Sequence, residues 1–158
     1  MREIHLIDTS VFCNIMQIPG MCPQHKESLR ELQALVSRAG TTLLLPVTTI
    51  YETGNHIAQN GSGGQRRQVA QRFVTQVQAA FDGRAPWTPT PLQGPTEMGN
   101  WLGLFPDYAL RGVGLGDLSI IKTFEQQCEL NPSARVRIWS YDADLGGYDR
   151  APTGSLVS

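Results

Sequence analysis

Apolar positions along the chain follow two periods in turn, and the alternation predicts strands separated by helices. Residues 3–7 form a short apolar run ending at Asp8, which suits a buried strand. Residues 11–16 predict a helix, with Thr9 or Ser10 available as its cap. Pro19, Gly20 and Pro23 then break the chain. Leu29, Leu32, Leu35 and Val36 recur at helical spacing until Gly40 stops the helix. Residues 41–47 read as a second buried strand, cut short by Pro46. Residues 48–59 predict a helix, Gly61, Gly63 and Gly64 interrupt it, and residues 65–81 resume with Val69, Phe73, Val77 and Ala80 on one face. Residues 82–116 are the least regular and rich in glycine and proline, with a weak strand near Trp87 and a short helix over 96–104. Residues 118–129 are helical behind Asp117, and residues 135–141 alternate as a strand that ends at Asp142. The tail from Gly146 is turn-rich, with a last edge strand at Leu156 and Val157.

Strands alternating with helices predict a central parallel sheet covered on both faces, a three-layer α/β/α sandwich. No repeat or second domain interrupts the pattern, so residues 1–158 read as one domain. An apolar fraction of 41% supplies a core for a chain of this length. The formal net charge of -1 provides no broad basic surface for a polyanion, so positive charge at a phosphate would have to come from bound cations. Met1, Arg2 and Glu3 do not open a signal peptide, and no stretch approaches the roughly 18 apolar residues of a membrane span. Cys13, Cys22 and Cys128 are too few and odd in number for a disulfide framework, which points to reduced thiols and a cytoplasmic setting.

The acids change this picture most. In an open parallel sheet, ligands gather beyond the carboxyl ends of the strands. Asp8 directly follows the first strand, Glu52 falls in the first helical turn after the second, and Asp142 directly follows the last, with Asp144 two residues on. Asp117 stands at a helix N-terminus, the same end of such a unit. Each has an ordinary role available: Glu52 completes a capping box with Thr49, Asp8 and Asp117 cap helices, and Asp142 or Asp144 serves a turn. Helix caps have no reason to share one edge of a sheet, however. Two carboxylates roughly 4 Å apart repel by about 4 kcal/mol at an effective dielectric of about 20, so a cluster calls for a cation. Oxygen-only ligands select Mg²⁺ or Mn²⁺ over zinc, and such ions suit phosphodiester hydrolysis.

At these residues the chain resembles the PIN-domain nucleases. Ile7, Asp8, Thr9 and Ser10 are similar to the family's opening motif, with Asp8 as metal ligand and Ser10 as supporting hydroxyl. The segment 45–52 resembles the second motif and places its acid at Glu52. The segment 116–121 resembles the third, with Asp117, and 140–145 the fourth, with Asp142 and the auxiliary Asp144. The likeness implies a PIN-like three-layer fold and Mg²⁺- or Mn²⁺-dependent endonuclease activity, most often on RNA. It further implies a toxin-like member with a cognate antitoxin protein, and a homodimer. Ser140 departs from the usual Thr, Leu145 from the common aromatic, and 82–116 reads as an elaboration.

Other residues fill out the reading. Arg66, Arg67, Arg72 and Lys122 are candidate phosphate contacts, although arginines on a solvated helix face are ordinary. His56 could share a helix face with Glu52. Trp87 and Trp101 suit packing better than base stacking. The glycines of 61–64 lack the Lys-Ser/Thr of a phosphate-cradling loop. Two competing classes remain: a PIN-like binding module without turnover, motivated by the near-neutral charge and the 82–116 segment, and another Mg²⁺-dependent phosphotransfer enzyme. A Toprim-like site would use Glu52, Asp142 and Asp144 but leaves Asp8 and Asp117 without a purpose. A haloacid-dehalogenase site requires an acid where Ser10 stands.

Overall fold

The computed structural model describes residues 1–153. Its elements run β1 (Glu3–Ile7), α1 (Thr9–Ile15), α2 (His25–Ser37), β2 (Thr41–Leu45), α3 (Val47–Gln59), α4 (Gly63–Phe81), β3 (Trp87–Pro89), α5 (Pro95–Leu110), α6 (Leu115–Leu130), β4 (Arg135–Trp139), α7 (Ala143–Gly146) and β5 (Asp149–Arg150). The strands form one sheet in the order β3-β2-β1-β4-β5. β1 pairs in parallel with β2 and β4, β2 pairs in parallel with β3, and β5 alone runs antiparallel. β1 is therefore the centre, and the chain steps outward from it first to one side and later to the other. That reversal leaves a crevice beyond the carboxyl ends of β1, β2 and β4.

Both faces of the sheet are covered, giving a three-layer α/β/α arrangement. Ile7, Leu43, Leu45 and Trp139 join Val11, Phe12, Leu35, Ile57, Val69 and Val77 in one core. Ile4, Leu6, Val136 and Ile138 join Ile120, Ile121, Phe124 and Leu145 in the other. Ile4, Leu6, Val136 and Ile138 thus serve one core, while Ile7 and Trp139 turn to the other at the carboxyl ends of β1 and β4.

Several elements differ from expectation. α2 buries Leu35 but leaves Leu29 and Val36 exposed. Its inward stripe is Ser28, Glu31, Leu32 and Leu35, because the strip of sheet beneath it is polar. His5 is fully buried there, accepts from Arg137 Nε at 2.6 Å and pairs through Nε2 with Glu3 at 3.2 Å. Glu31 receives Arg137 Nη2 at 2.7 Å and Trp139 Nε1 at 3.1 Å. Hydrogen bonds, as much as apolar contact, seat this helix.

α5 spans sixteen residues instead of the short segment over 96–104. Pro95 at its start costs no hydrogen bond, and Pro106 is carried inside the helix, which lies against α6. α4 begins at Gly63, two residues earlier than expected, behind a capping box of Ser62 and Gln65. β5 replaces part of the turn-rich tail, and Arg150 there donates to the carbonyls of Cys128, Asn131 and Ala134 where α6 ends. The expected strand at Leu156 and Val157 lies outside the described residues. Gly40 needs to be glycine: its φ is +80° and a β-carbon would press on the Met1 carbonyl. No helix among the described residues is long and apolar enough to cross a membrane.

Burial and the Arg137 guanidinium lower the pKa of His5 to about 4. The folded state thus holds this ring neutral, while the unfolded chain protonates it near pH 6.5. Stability from this site is complete above pH 6.5 and is lost as pH falls towards 4. Between pH 7 and pH 5 the loss should be about 2 kcal/mol. Denaturant midpoints of wild type and His5→Gln at both pH values check it: the variant should lose about that much less. Equal losses would mean that His5 titrates in the folded protein as it does in the unfolded one.

Candidate functional site

Asp8 is the pivot of the crevice. Its backbone N–H donates to Trp139 O at 3.0 Å, continuing the β1–β4 ladder by one residue. Its side chain caps α1 through Ser10 N, so of the three candidate caps, Asp8, Thr9 and Ser10, it is Asp8 that serves. Asp8 Oδ2 also accepts from Ser10 Oγ at 2.9 Å and from Ser140 Oγ at 2.7 Å. Asp8 is buried, and none of the described hydrogen bonds uses Oδ1. One oxygen is therefore pinned while the other stays available.

The hydroxyls extend this grip across the crevice. Ser10 Oγ accepts from Tyr141 N at 3.0 Å, and Ser140 Oγ accepts from Asp142 N at 2.9 Å. Asp142 Oδ1 in turn accepts from Asp144 N at 2.9 Å and caps α7. Asp142 and Asp144 are exposed. Ser140 was marked by the sequence only as a departure from the usual Thr; its signal was a hydroxyl two residues before an acid.

Glu52 corrects the expected capping box. The cap of α3 is Pro46, with no side-chain cap bond, and Thr49 Oγ1 donates to Ile7 O at 2.8 Å instead. Glu52 Oε2 accepts from Thr9 Oγ1 at 2.6 Å, which ties the start of α1 to α3. Thr9, read only as a cap, is thus a positioning residue. Asp117 is not a cap either. α6 begins at Leu115 behind Gly114, and Asp117 lies in its first turn, where the helix dipole favours a carboxylate. Gly116 beside it has a reason to be glycine, since a β-carbon would run into the Glu52 carboxylate and crowd Thr48 Oγ1.

Asp8, Glu52, Asp117 and Asp142 line one cavity of about 410 Å³, together with Ser10, Asn14, His56 and Tyr141. Desolvation by burial, followed by the charges of Asp8, Glu52, Asp142 and Asp144, pushes Asp117 up to about 6. Four elements far apart in sequence therefore deliver acids to one field. Among the described residues no three His, Cys, Asp or Glu side chains stand close enough to enclose a metal ion by themselves. An open set of carboxylates with unused oxygens fits Mg²⁺ or Mn²⁺, which keep several waters beside one or two carboxylates. It does not fit zinc, which wants nitrogen or sulfur ligands and a closed tetrahedron.

The cationic candidates are placed elsewhere. Lys122 pairs with Glu125 at 2.8 Å and lies 6.0 Å from the Tyr108 ring. Arg66 and Arg67 are exposed near the start of α4, and Arg72 donates to Met16 O at 3.0 Å. None of these lines the acid cavity. Trp87 and Trp101 are buried.

No protein-family model and no curated protein sequence matches the chain. A search of solved structures finds the crystal structure of FitAcB from Neisseria gonorrhoeae, with a TM-score of 0.57 and 16% identity over 87% of each chain. That likeness is one of fold.

The crowding has a measurable sign. Asp117 holds its proton to about pH 6 in the fold but only to about 3.8 in the unfolded chain, so stability is lost as pH rises between these values. Asp117→Asn should therefore melt above wild type at pH 7.5 in EDTA, by about 1–2 kcal/mol after solvent screening. A lower melting point in calorimetry would contradict the repulsion. Gly116→Ala should push the flexible Glu52 side chain aside and leave stability within about 1 kcal/mol, since alanine is the better helix former. Its Mn²⁺ affinity should nevertheless fall, which isothermal titration would reveal.

Proposed function

We propose that this protein is a divalent-metal-dependent endoribonuclease. The observation that carries the reading is the meeting of Asp8, Glu52, Asp117 and Asp142 in one cavity at the switch point of the sheet. Asp8, Glu52, Asp117 and Asp142 hold Mg²⁺ or Mn²⁺, with Asp144 as an auxiliary acid. The bound ions supply neutralisation of the phosphate and activation of a water. Ser10 and Ser140 fix the Asp8 carboxylate so that its second oxygen meets the cation without reorganisation. Thr9 does the same for Glu52. Asp117, raised to about 6, still carries a proton in part of the population near neutrality, so metal loading should release protons between pH 5 and 7.

The motifs at 7–10, 45–52, 116–121 and 140–145 support RNA as substrate through their resemblance to PIN-domain nucleases. The same resemblance supports a toxin held in check by a cognate antitoxin, and a homodimer. A second reading rests on the absence, among the described residues, of three acids close enough to enclose an ion. On it the fold is a binding module that keeps its acids without turnover.

Incubating total RNA with the purified protein in Mn²⁺, with an EDTA control, separates the two. Cleavage should require the metal and fall by about 100-fold or more in Asp8→Asn and in Asp142→Asn. Intact RNA across several substrates, with normal Mn²⁺ binding, would leave the binding module standing.

A further inference from the structure

A second and larger cavity, of about 1110 Å³, opens between α4 and the segment that joins α1 to α2. Its character is the reverse of the acid cavity. No carboxylate lines it, although the chain carries fourteen acids, and Arg72 is its one cationic side chain. Side-chain amides dominate: Gln68, Gln71 and Gln76 from α4, and Gln17 from the opposite wall. Gln17 holds a φ of 57°, in the left-handed region that a non-glycine residue seldom adopts. Trp87 completes the lining, and its buried indole N–H has no partner among the described residues.

The two cavities share a wall. Cys13, Asn14, Gly20, Met21, Pro23 and Gln24 face the acids. The residues between them, from Ile15 to Gln17 with Pro19 and Cys22, face the amides. Asn14 stiffens the wall, donating to Ser10 O at 2.7 Å and accepting from Gln24 N at 2.7 Å. His25 Nδ1 adds a bond to Asn14 O at 2.6 Å. A strand crossing this wall would have one phosphate among the acids and its neighbours at the amide cavity.

We infer that the amide cavity is a nucleobase-binding subsite for the RNA strand, an assignment that rests on the ribonuclease reading above. Glutamine amides pair with base edges, donating and accepting at once, and a guanidinium plane adds stacking or bidentate hydrogen bonds. A carboxylate-free lining spares the adjacent phosphates from repulsion. Arg66 and Arg67 are exposed near the start of the same helix, available to those phosphates. Volume is no obstacle, since the cavity exceeds the acid cavity more than twofold.

The test uses the whole protein and a fluorescein-labelled single-stranded RNA of mixed sequence. Gln68→Ala/Gln76→Ala alters two exposed side chains and should fold as wild type. In EDTA, anisotropy should show its dissociation constant raised about tenfold. In Mn²⁺, KM should rise by a similar factor while kcat stays unchanged. Wild-type cleavage with neither binding nor KM altered in the variant overturns the subsite and leaves the ribonuclease reading intact; a cavity that takes a protein segment would give that result. Binding lost in the variant, with no cleavage by wild type, supports the subsite and overturns the ribonuclease reading. Failure of wild type to bind the RNA overturns the subsite.

Discussion

The site depends first on a hydrogen bond, the one from Ser140 Oγ to Asp8 Oδ2. It joins the first residue beyond β1 to the first residue beyond β4, at the point where the sheet reverses its direction of growth. Ser10 reinforces it from α1. A carboxylate held by two hydroxyls and a backbone N–H keeps one oxygen fixed and its orientation set, at a cost already met by the folding of the sheet. Two other acids are positioned relative to this one: Asp142 through Ser140, and Glu52 through Thr9, the residue next to Asp8.

What this ordering creates is a field the protein cannot relieve alone. Asp117, half-buried in the first turn of α6, absorbs the strain by retaining its proton to about pH 6. The helix dipole works in its favour, yet burial and four neighbouring acids outweigh it. Glu52 stands so close to Gly116 that a β-carbon there would displace its carboxylate, so the crowding extends to the start of α6. Side chains placed for capping or solubility alone have no need of such proximity. The arrangement makes chemical sense when a cation completes it.

The convergence was legible because it follows from topology. Asp8, Glu52, Asp117 and Asp142 each adjoin a strand end or a helix start, and parallel βα units send those ends to one side. The local bonds were not legible, since they depend on which of several hydroxyls wins. Thr49 stands at capping-box spacing from Glu52, but the carbonyl of Ile7 takes its hydroxyl and leaves Glu52 to Thr9. The apolar stripe on α2 misled for a similar reason. Leu29 and Val36 fit the period, but the surface beneath is His5 and Arg137, and Glu31 answers it. Strand β5 was missed because two residues carry no period, and α5 was underread because a proline within it marks a stop in sequence. The resemblance to PIN-domain nucleases added the ligand roles and the nucleic acid, which periodicity does not supply.

Net charge, read along the whole chain, argued weakly against a nucleic-acid partner. Its distribution argues differently. Acids are concentrated where a divalent ion would reverse their effect, while the cavity across the shared wall has none. On the ribonuclease reading, a strand entering this surface would meet a cationic site only after metal has bound, and would meet neutral amides beside it in either state. Affinity for RNA should then come in two parts, one that depends on metal and one that does not. Arg66 and Arg67 line neither cavity, and on the ribonuclease reading they would act on the phosphates by charge and contribute the portion that salt removes.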